Sequence, residues 1–163
     1  MARVLIVGCG CRGRELAAGL IAAGHAVRGT TRDPAGLAAI EATGADAVVG
    51  DPLRLATVAV QLEGVSALAW LMASAQGDAE DVAALHGPRL ESLLGKLVDT
   101  PVRSFIYEAN GSAGGELLGA GAALVAAASE RHRMPTSLIE ADPTDSAAWL
   151  ADGLAAVERA LNG

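Results

Sequence analysis

Hydrophobic positions along the chain alternate between short β-type runs and stretches with helical spacing. The first run, Val4–Val7, ends at Gly8, as is typical of a buried parallel strand. From Gly13 to Ala23 the apolar residues recur every three or four positions, and Gly24 would end that helix. This change from strand spacing to helix spacing is the first of several.

The same pattern predicts five more strands and five more helices. The strands are Ala26–Thr30, Ala47–Val49, Ser66–Leu71, Val102–Tyr107 and Thr136–Glu140. The helices run from Asp33-Pro34 to near Gly44, from Asp51-Pro52 to Gly64, from Pro88, over Ala113–Ser129 and over Thr144–Leu161. Strand–helix units with short links predict an α/β fold: one doubly wound parallel sheet of about six strands in the order 3-2-1-4-5-6, formed by residues 1–163 as a single domain.

Composition narrows the classes of function. The chain carries a net charge of −7 and only four aromatic residues, whereas nucleic-acid binding needs a basic surface and stacking platforms. No run reaches the roughly 20 apolar residues of a membrane span, and Arg12, Arg14 and Glu15 interrupt the apolar start before a signal peptide could form. We therefore expect neither nucleic acid nor membrane as a partner.

The two cysteines indicate a reducing compartment. Cys9 and Cys11 lie one residue apart in a predicted turn, where a disulfide would be strained. Two thiols do not make a four-ligand zinc site, and no other cluster has metal-ligand spacing, so we expect no metal. A cytoplasmic protein is the natural interpretation. A thiol at a helix N-terminus can be redox-sensitive, but small side chains tolerated beside a ligand are the simpler explanation of both cysteines.

The turn after the first strand carries the most specific motif, Gly8-Cys9-Gly10-Cys11-Arg12-Gly13. The first glycine permits a tight turn, the second lets a pyrophosphate approach the backbone, and the third lets the helix pack on the sheet. The free N–H groups at the helix start, including that of Cys11, would face the phosphates. This arrangement predicts a Rossmann domain that binds a dinucleotide, although glycines that only make a turn are the alternative.

The end of the second strand distinguishes two cofactors. NAD-binding chains place an acidic residue there, whereas this chain has Thr31-Arg32-Asp33. The guanidinium of Arg32 suits the 2′-phosphate of NADP(H), and Arg12 could reach the same group. Asp33 would make an NAD-type contact, but before Pro34 it is better explained as a helix cap. We therefore predict NADP(H), with NAD less favoured.

Three segments together resemble a known family. The runs VLIVGCGCRGRELAAGLIAAGHAVRGTTRDP, GDP and PVRSFIYEANGS resemble NAD(P)-binding proteins of the atypical short-chain dehydrogenase type, which include NmrA-like proteins. The resemblance implies that Asp51 contacts the adenine, although it could equally be a helix cap. It also implies that Leu71–Ser74, which includes Ala73, and Glu108–Gly111 line the nicotinamide side.

Catalytic chemistry is harder to assign. Short-chain dehydrogenases of the familiar kind use Tyr-x-x-x-Lys, but this chain has one tyrosine, Tyr107, and one lysine, Lys96, which precedes it. Three candidates remain: Tyr107, Glu108 and His86. Tyr107 could instead be a buried core residue, and Glu108 could be a general acid if burial raises its pKa. His86 precedes a helix in a mobile-looking stretch, where an exposed histidine is the simpler expectation.

These residues leave three hypotheses. The chain is an NADPH-dependent oxidoreductase, or a non-catalytic NmrA-like sensor that reports NADP(H) to a partner, or a domain that has lost nucleotide binding. No separate substrate region is predicted, so a pocket would come from loops or from a second subunit. The leucine face (Leu90, Leu94, Leu97) and the helix Ala113–Ser129 could pair in a homodimer, or both could pack on their own sheet.

Overall fold

The computed structural model describes residues 2–163. It has six strands: β1 (Arg3–Val7), β2 (Ala26–Thr31), β3 (Asp46–Val49), β4 (Ala67–Trp70), β5 (Ser104–Glu108) and β6 (Thr136–Ile139). All neighbouring strands pair in parallel, in the order β3-β2-β1-β4-β5-β6. The predicted doubly wound sheet is confirmed, because the parallel strands follow the predicted order and helices cover both faces of the sheet.

The helices are α1 (Cys11–Ala22), α2 (Leu37–Glu41), α3 (Leu55–Ala59), α4 (Ala79–Leu85), α5 (Pro88–Lys96), α6 (Gly115–His132) and α7 (Ser146–Leu161). Two predicted helices are wrong in length. The second is a 3-10 turn, Pro34–Gly36, followed by the short α2, and the third begins only at Leu55. Helix α4 falls in a segment where no helix is predicted, since its run Ala79–Leu85 has little apolar periodicity to reveal it.

Alternate residues of the strands face two separate cores. Leu68 and Trp70 of β4, with Phe105 and Tyr107 of β5, face a core shared with α3, α4, α5 and α6. Residues in between, such as Ile106 of β5, face a second core built with α1, α2 and α7. Because side chains alternate along a strand, β5 sends Tyr107 to one face and Glu108 to the other. That division decides which residues reach the functional site.

The leucine face packs inside the chain. Leu90, Leu94 and Leu97 are buried against β5 and α6. The leucine face therefore packs on the sheet of its own chain, which is one of the two alternatives from the sequence. It is not available for the other, pairing between protomers. Among residues 2–163, no helix has the length and hydropathy needed to cross a membrane.

Candidate functional site

A cavity of about 400 Å³ lies at the carboxyl ends of the parallel strands, and we call it the edge cavity. It extends from the end of β2, past the glycine turn after β1, to the ends of β4 and β5 and to α7. This is the crevice in which open α/β sheets bind their ligands. It brings together most of the predicted site residues: Gly8, Gly10, Cys11, Arg12, Gly13, Thr31, Arg32, Leu71 and Glu108.

Two glycines of the turn are required by the fold itself. Gly8 has a φ of +89°, and a Cβ there would lie 2.2 Å from Met72 Cε and 2.5 Å from the Leu71 carbonyl oxygen. A Cβ on Gly13 would lie 3.0 Å from the Gly8 carbonyl oxygen, so Gly13 lets α1 approach the turn closely. Together these two glycines fix where the helix starts.

Gly10 is different, because the protein does not require it. It has a negative φ, and a Cβ built on it meets no heavy atom within 4 Å. Gly10 is exposed and lines the edge cavity. The lack of a side chain at this position therefore leaves backbone open toward the cavity, where a ligand could approach it.

The first turn of α1 presents free backbone donors at that point. The first hydrogen bond that enters this helix runs from Arg14 N–H to the Gly10 carbonyl, at 2.8 Å. The N–H groups of Cys11, Arg12 and Gly13 have no hydrogen-bond partner among residues 2–163. Unpaired N–H groups and the positive end of the helix dipole favour an anion at this position.

At the end of β2, the acidic residue is already engaged and the basic one is free. One carboxylate oxygen of Asp33 accepts the Ala35 N–H at 2.9 Å and so caps the 3-10 turn. The Thr31 hydroxyl donates to the Asp33 carbonyl at 3.0 Å. Arg32 is exposed at the cavity and makes no hydrogen bond or ion pair with the described part of the chain. Its guanidinium is therefore available to a ligand.

Two predicted cofactor contacts do not lie on the cavity wall. Asp51 accepts the Leu53 N–H at 3.0 Å, forming a turn before α3 rather than capping it, and its neighbours Gly50 and Pro52 line the cavity instead. The N–H of Ala73 is occupied by Glu108. Both residues shape the loops beside the cavity through their own hydrogen bonds.

Tyr107 and His86 form a buried pair on the opposite face of the sheet. The tyrosine hydroxyl lies 2.7 Å from His86 Nδ1, and His86 Nε2 lies 3.0 Å from the Met72 carbonyl oxygen. A carbonyl only accepts, so Nε2 carries the proton and Nδ1 accepts from the tyrosine. The expectation of an exposed His86 is wrong: it is 1% exposed, because α4 carries it into the core.

The surroundings of this pair disfavour charge on both rings. Burial lowers the pKa of His86, although the hydrogen bond to the Met72 carbonyl acts in the other direction. Burial, and then the Glu108 charge, raise the pKa of Tyr107. Neither ring lines the edge cavity, so the structure gives both a role in packing.

Glu108 lies on the cavity side and collects three donors. The Ala73 N–H donates to Oε1 at 3.0 Å, while Trp149 Nε1–H at 3.0 Å and Arg12 Nη2–H at 3.4 Å donate to Oε2. Burial raises the pKa of Glu108, and Arg12, with the donated hydrogen bonds, partly offsets the rise. Sequence reasoning missed Trp149, since no local pattern links a residue of α7 to the end of β5.

Arg12 lies on the β5 side of the glycine turn. Its guanidinium carbon is 5.6 Å from the centroid of the Trp149 ring, and its Nη2 is bonded to Glu108. The expectation that it reaches the same phosphate as Arg32 is not the arrangement seen here, because Arg32 lies at the end of β2, on the other side of β1. The two arginines thus serve different halves of the cavity.

The two cysteines have different environments. Cys9 is buried beneath the turn, where its Sγ would lie 2.7 Å from a Cβ on Gly29. Burial raises the pKa of the Cys9 thiol to about 11, so it is protonated at neutral pH. Cys11 is exposed and lines the edge cavity. Among residues 2–163, no group of three or more His, Cys, Asp or Glu is placed to hold a metal ion.

Comparison with known proteins finds likeness in structure and not in sequence. No family model matches the chain, and no curated protein matches it. UDP-glucose 4-epimerase from Brucella ovis, solved in complex with NAD, is similar with a TM-score of 0.70 at 17% identity, over 85% of this chain and 51% of that one. UDP-glucuronic acid 4-epimerase from Bacillus cereus, also with NAD, gives a TM-score of 0.67 at 16% identity, over 83% and 55%.

A third similar structure is a putative NAD-dependent epimerase/dehydratase from Bacillus halodurans. Its TM-score is 0.69 at 18% identity, over 85% of this chain and 69% of that one. The chain spans about half the length of the two epimerases. At these identities the likeness concerns the fold, and it agrees with the strand order and with the glycine turn: the chain has a Rossmann fold.

Proposed function

We propose that the edge cavity binds a nicotinamide dinucleotide and that it prefers NADP(H). The observation that carries this proposal is the glycine turn. Gly8 and Gly13 are required by the protein's own packing, but Gly10 is open to the cavity. Beside it, the unpaired N–H groups at the start of α1 offer a site for a pyrophosphate. The similar structures solved with NAD support the same ligand class.

The preference for NADP(H) rests on the end of β2. Asp33, which would be the ribose ligand in an NAD site, accepts the Ala35 N–H and so caps the 3-10 turn. Arg32 is exposed, unpaired within residues 2–163 and on the cavity wall. A guanidinium and a phosphate form charge-assisted, paired hydrogen bonds, and these would be absent with NAD(H).

Calorimetric titration with NADP⁺, NADPH, NAD⁺ and NADH tests both parts. Arg32→Ala should weaken the two phosphorylated forms about 10- to 100-fold, the range of a charged hydrogen bond, and should change NAD(H) affinity little. Arg131→Ala, an exposed arginine on α6 away from the cavity, is the matched control. If none of the four nucleotides binds, the proposal is overturned. If Arg32→Ala weakens the binding of all four equally, the assignment of Arg32 to the 2′-phosphate is overturned.

The use of the bound cofactor follows from the groups around it. The chain's tyrosine bonds to His86 in the opposite core, and its lysine lies on α5, so a Tyr–Lys pair does not reach the cavity. We infer either a reductase in which the cofactor carries the hydride or a redox sensor. NADPH oxidation with quinones, aldehydes or flavins would assign a reductase. A sensor should instead bind NADP⁺ and NADPH with different affinity.

A further inference from the structure

A charged pair stands at the half of the edge cavity opposite Arg32. Arg12 reaches from the start of α1 to Glu108 at the end of β5, and its guanidinium lies over the ring of Trp149. In a doubly wound sheet the two halves of a dinucleotide lie on either side of the switch point. With the adenosine half at β2, the nicotinamide half lies at β4 and β5, so this pair is beside the reacting ring.

Of the three side chains, only Arg12 is open to a ligand. Glu108 is 0% exposed and Trp149 is 0% exposed, whereas the Arg12 side chain retains 32% exposure. A guanidinium has five N–H donors, and Glu108 takes one of them through Nη2. Nε is buried and has no hydrogen-bond partner in the described chain. The exposed part of the guanidinium therefore keeps donors that Glu108 does not take, and Glu108 and Trp149 hold it in place.

We propose that Arg12 binds the carboxylate of a small anionic substrate beside the nicotinamide, with Glu108 and Trp149 as positioning residues. The proposal rests on the dinucleotide function above. The planar fork of a guanidinium matches a carboxylate, and stacking on an indole ring limits its freedom. The pyrophosphate already has donors in the N–H groups at the start of α1, so the side chain of Arg12 is not needed there.

Pyruvate is a suitable probe, with methyl pyruvate as its uncharged counterpart. We would titrate both by calorimetry into the protein saturated with NADP⁺, so that no reduction occurs. Pyruvate should bind with saturation and methyl pyruvate should bind at least about tenfold more weakly. Arg12→Gln should abolish the difference between the two probes, while Arg131→Gln should preserve it.

Two more variants separate binding from folding. Arg12→Gln leaves the buried Glu108 charge without its partner, which could unfold the chain. The double variant Arg12→Gln/Glu108→Gln removes both charges and keeps one oxygen that can accept from the Ala73 or the Trp149 N–H, so it should be more stable than Arg12→Gln and still show no preference for pyruvate. Glu108→Gln alone should weaken pyruvate binding several-fold and NADP⁺ binding by a smaller factor, since a general structural defect would weaken both equally.

The outcomes discriminate between the two proposals. If NADP⁺ does not bind the wild-type protein, the dinucleotide function fails, and pyruvate titrated into the free protein still tests the anion site. If NADP⁺ binds and pyruvate binds no better than methyl pyruvate, the inference is overturned. It is also overturned if Arg12→Gln weakens all four nucleotides and inorganic pyrophosphate by one common factor, because Arg12 would then belong to the phosphate site.

Discussion

Removing the hydroxyl of Tyr107 tests whether the buried pair with His86 stabilises the fold. Tyr107→Phe keeps the ring, which is fully buried, and deletes the donor that lies 2.7 Å from His86 Nδ1. His86 cannot turn toward another partner without losing its hydrogen bond to the Met72 carbonyl. The variant therefore leaves a buried acceptor without a donor and creates almost no cavity.

The expected cost follows from that geometry. A buried polar group that loses its partner costs about 1–3 kcal/mol, more than the net value of a typical hydrogen bond. For a chain of this size, about 1 kcal/mol lowers the Tm by roughly 2–4 °C, so Tyr107→Phe should lower it by roughly 2–12 °C. Because the change is local, the slope of the urea transition should stay constant while its midpoint falls.

A double-mutant cycle in urea provides the assay. Tyr107→Phe and His86→Leu should each destabilise, and the double variant should lose less than the sum by about 0.5–3 kcal/mol, since each single variant strands the other's polar atom. Ser112→Ala, which removes an exposed hydroxyl, is the control. A cost below about 0.5 kcal/mol for Tyr107→Phe, or strict additivity, would refute the hydrogen-bonded pair.

Three other outcomes are expected for residues that line the edge cavity. Gly8→Ala should lower the free energy of unfolding by more than about 2 kcal/mol, because φ is positive there and the added Cβ would collide with Met72. Gly10→Ala should leave the thermal midpoint unchanged and weaken NADP⁺ binding. An equal fall in Tm for both variants would contradict the different roles of the two glycines. Alkylation of the exposed thiol of Cys11 should slow in the presence of NADP⁺, as mass spectrometry can measure, and an unchanged rate would argue against a ligand at the turn. Burial raises the pKa of Glu108 above 4.5. Its contribution to stability is therefore complete below pH 4.5 and is lost as the pH rises through the folded pKa. Glu108→Gln should remove this loss from a plot of the urea midpoint against pH.

His86 should act in the opposite direction on stability. Burial lowers the pKa of His86 below the ordinary 6.5, so at lower pH the unfolded chain binds more protons than the folded chain does. Its contribution is complete above about pH 6.5 and is lost as pH falls through the folded pKa. His86→Leu should remove this loss and His132→Leu, at an exposed position, should not. A wild-type profile retained in His86→Leu would show that another group titrates.

The sheet and the glycine turn could be predicted because both are encoded locally. A short apolar run followed by glycine and a helical spacing defines each unit, and right-handed crossovers then select the strand order. The buried positions of the leucine face follow from the same spacing. Local periodicity fails where helices are short: the two helices after β2 and β3 span five α-helical residues each, too few for the pattern to fix their ends.

The chemistry of the site depends on contacts that no local pattern contains. Glu108 and Trp149 are 41 residues apart, and His86 and Tyr107 are 21 apart. In sequence, His-Gly-Pro suggested an exposed histidine before a helix. Helix α4 overrides that suggestion, because Trp70 Nε1–H bonds to the Leu85 carbonyl and draws this end of the helix into the core.

The alternation of β5 explains why the Tyr107 side chain lies in the opposite core and not at the edge cavity. Tyr107 and Glu108 are consecutive, so they face opposite cores, and only Glu108 shares its face with α1 and α7, which border the edge cavity. At that position the strand supplies a carboxylate that is shielded from ligand and tied to Arg12. At this end of the cavity the exposed partner of that carboxylate is the Arg12 guanidinium, which stays positively charged. This end of the cavity is therefore suited to holding an anion, and under the proposed function that anion would lie beside the nicotinamide.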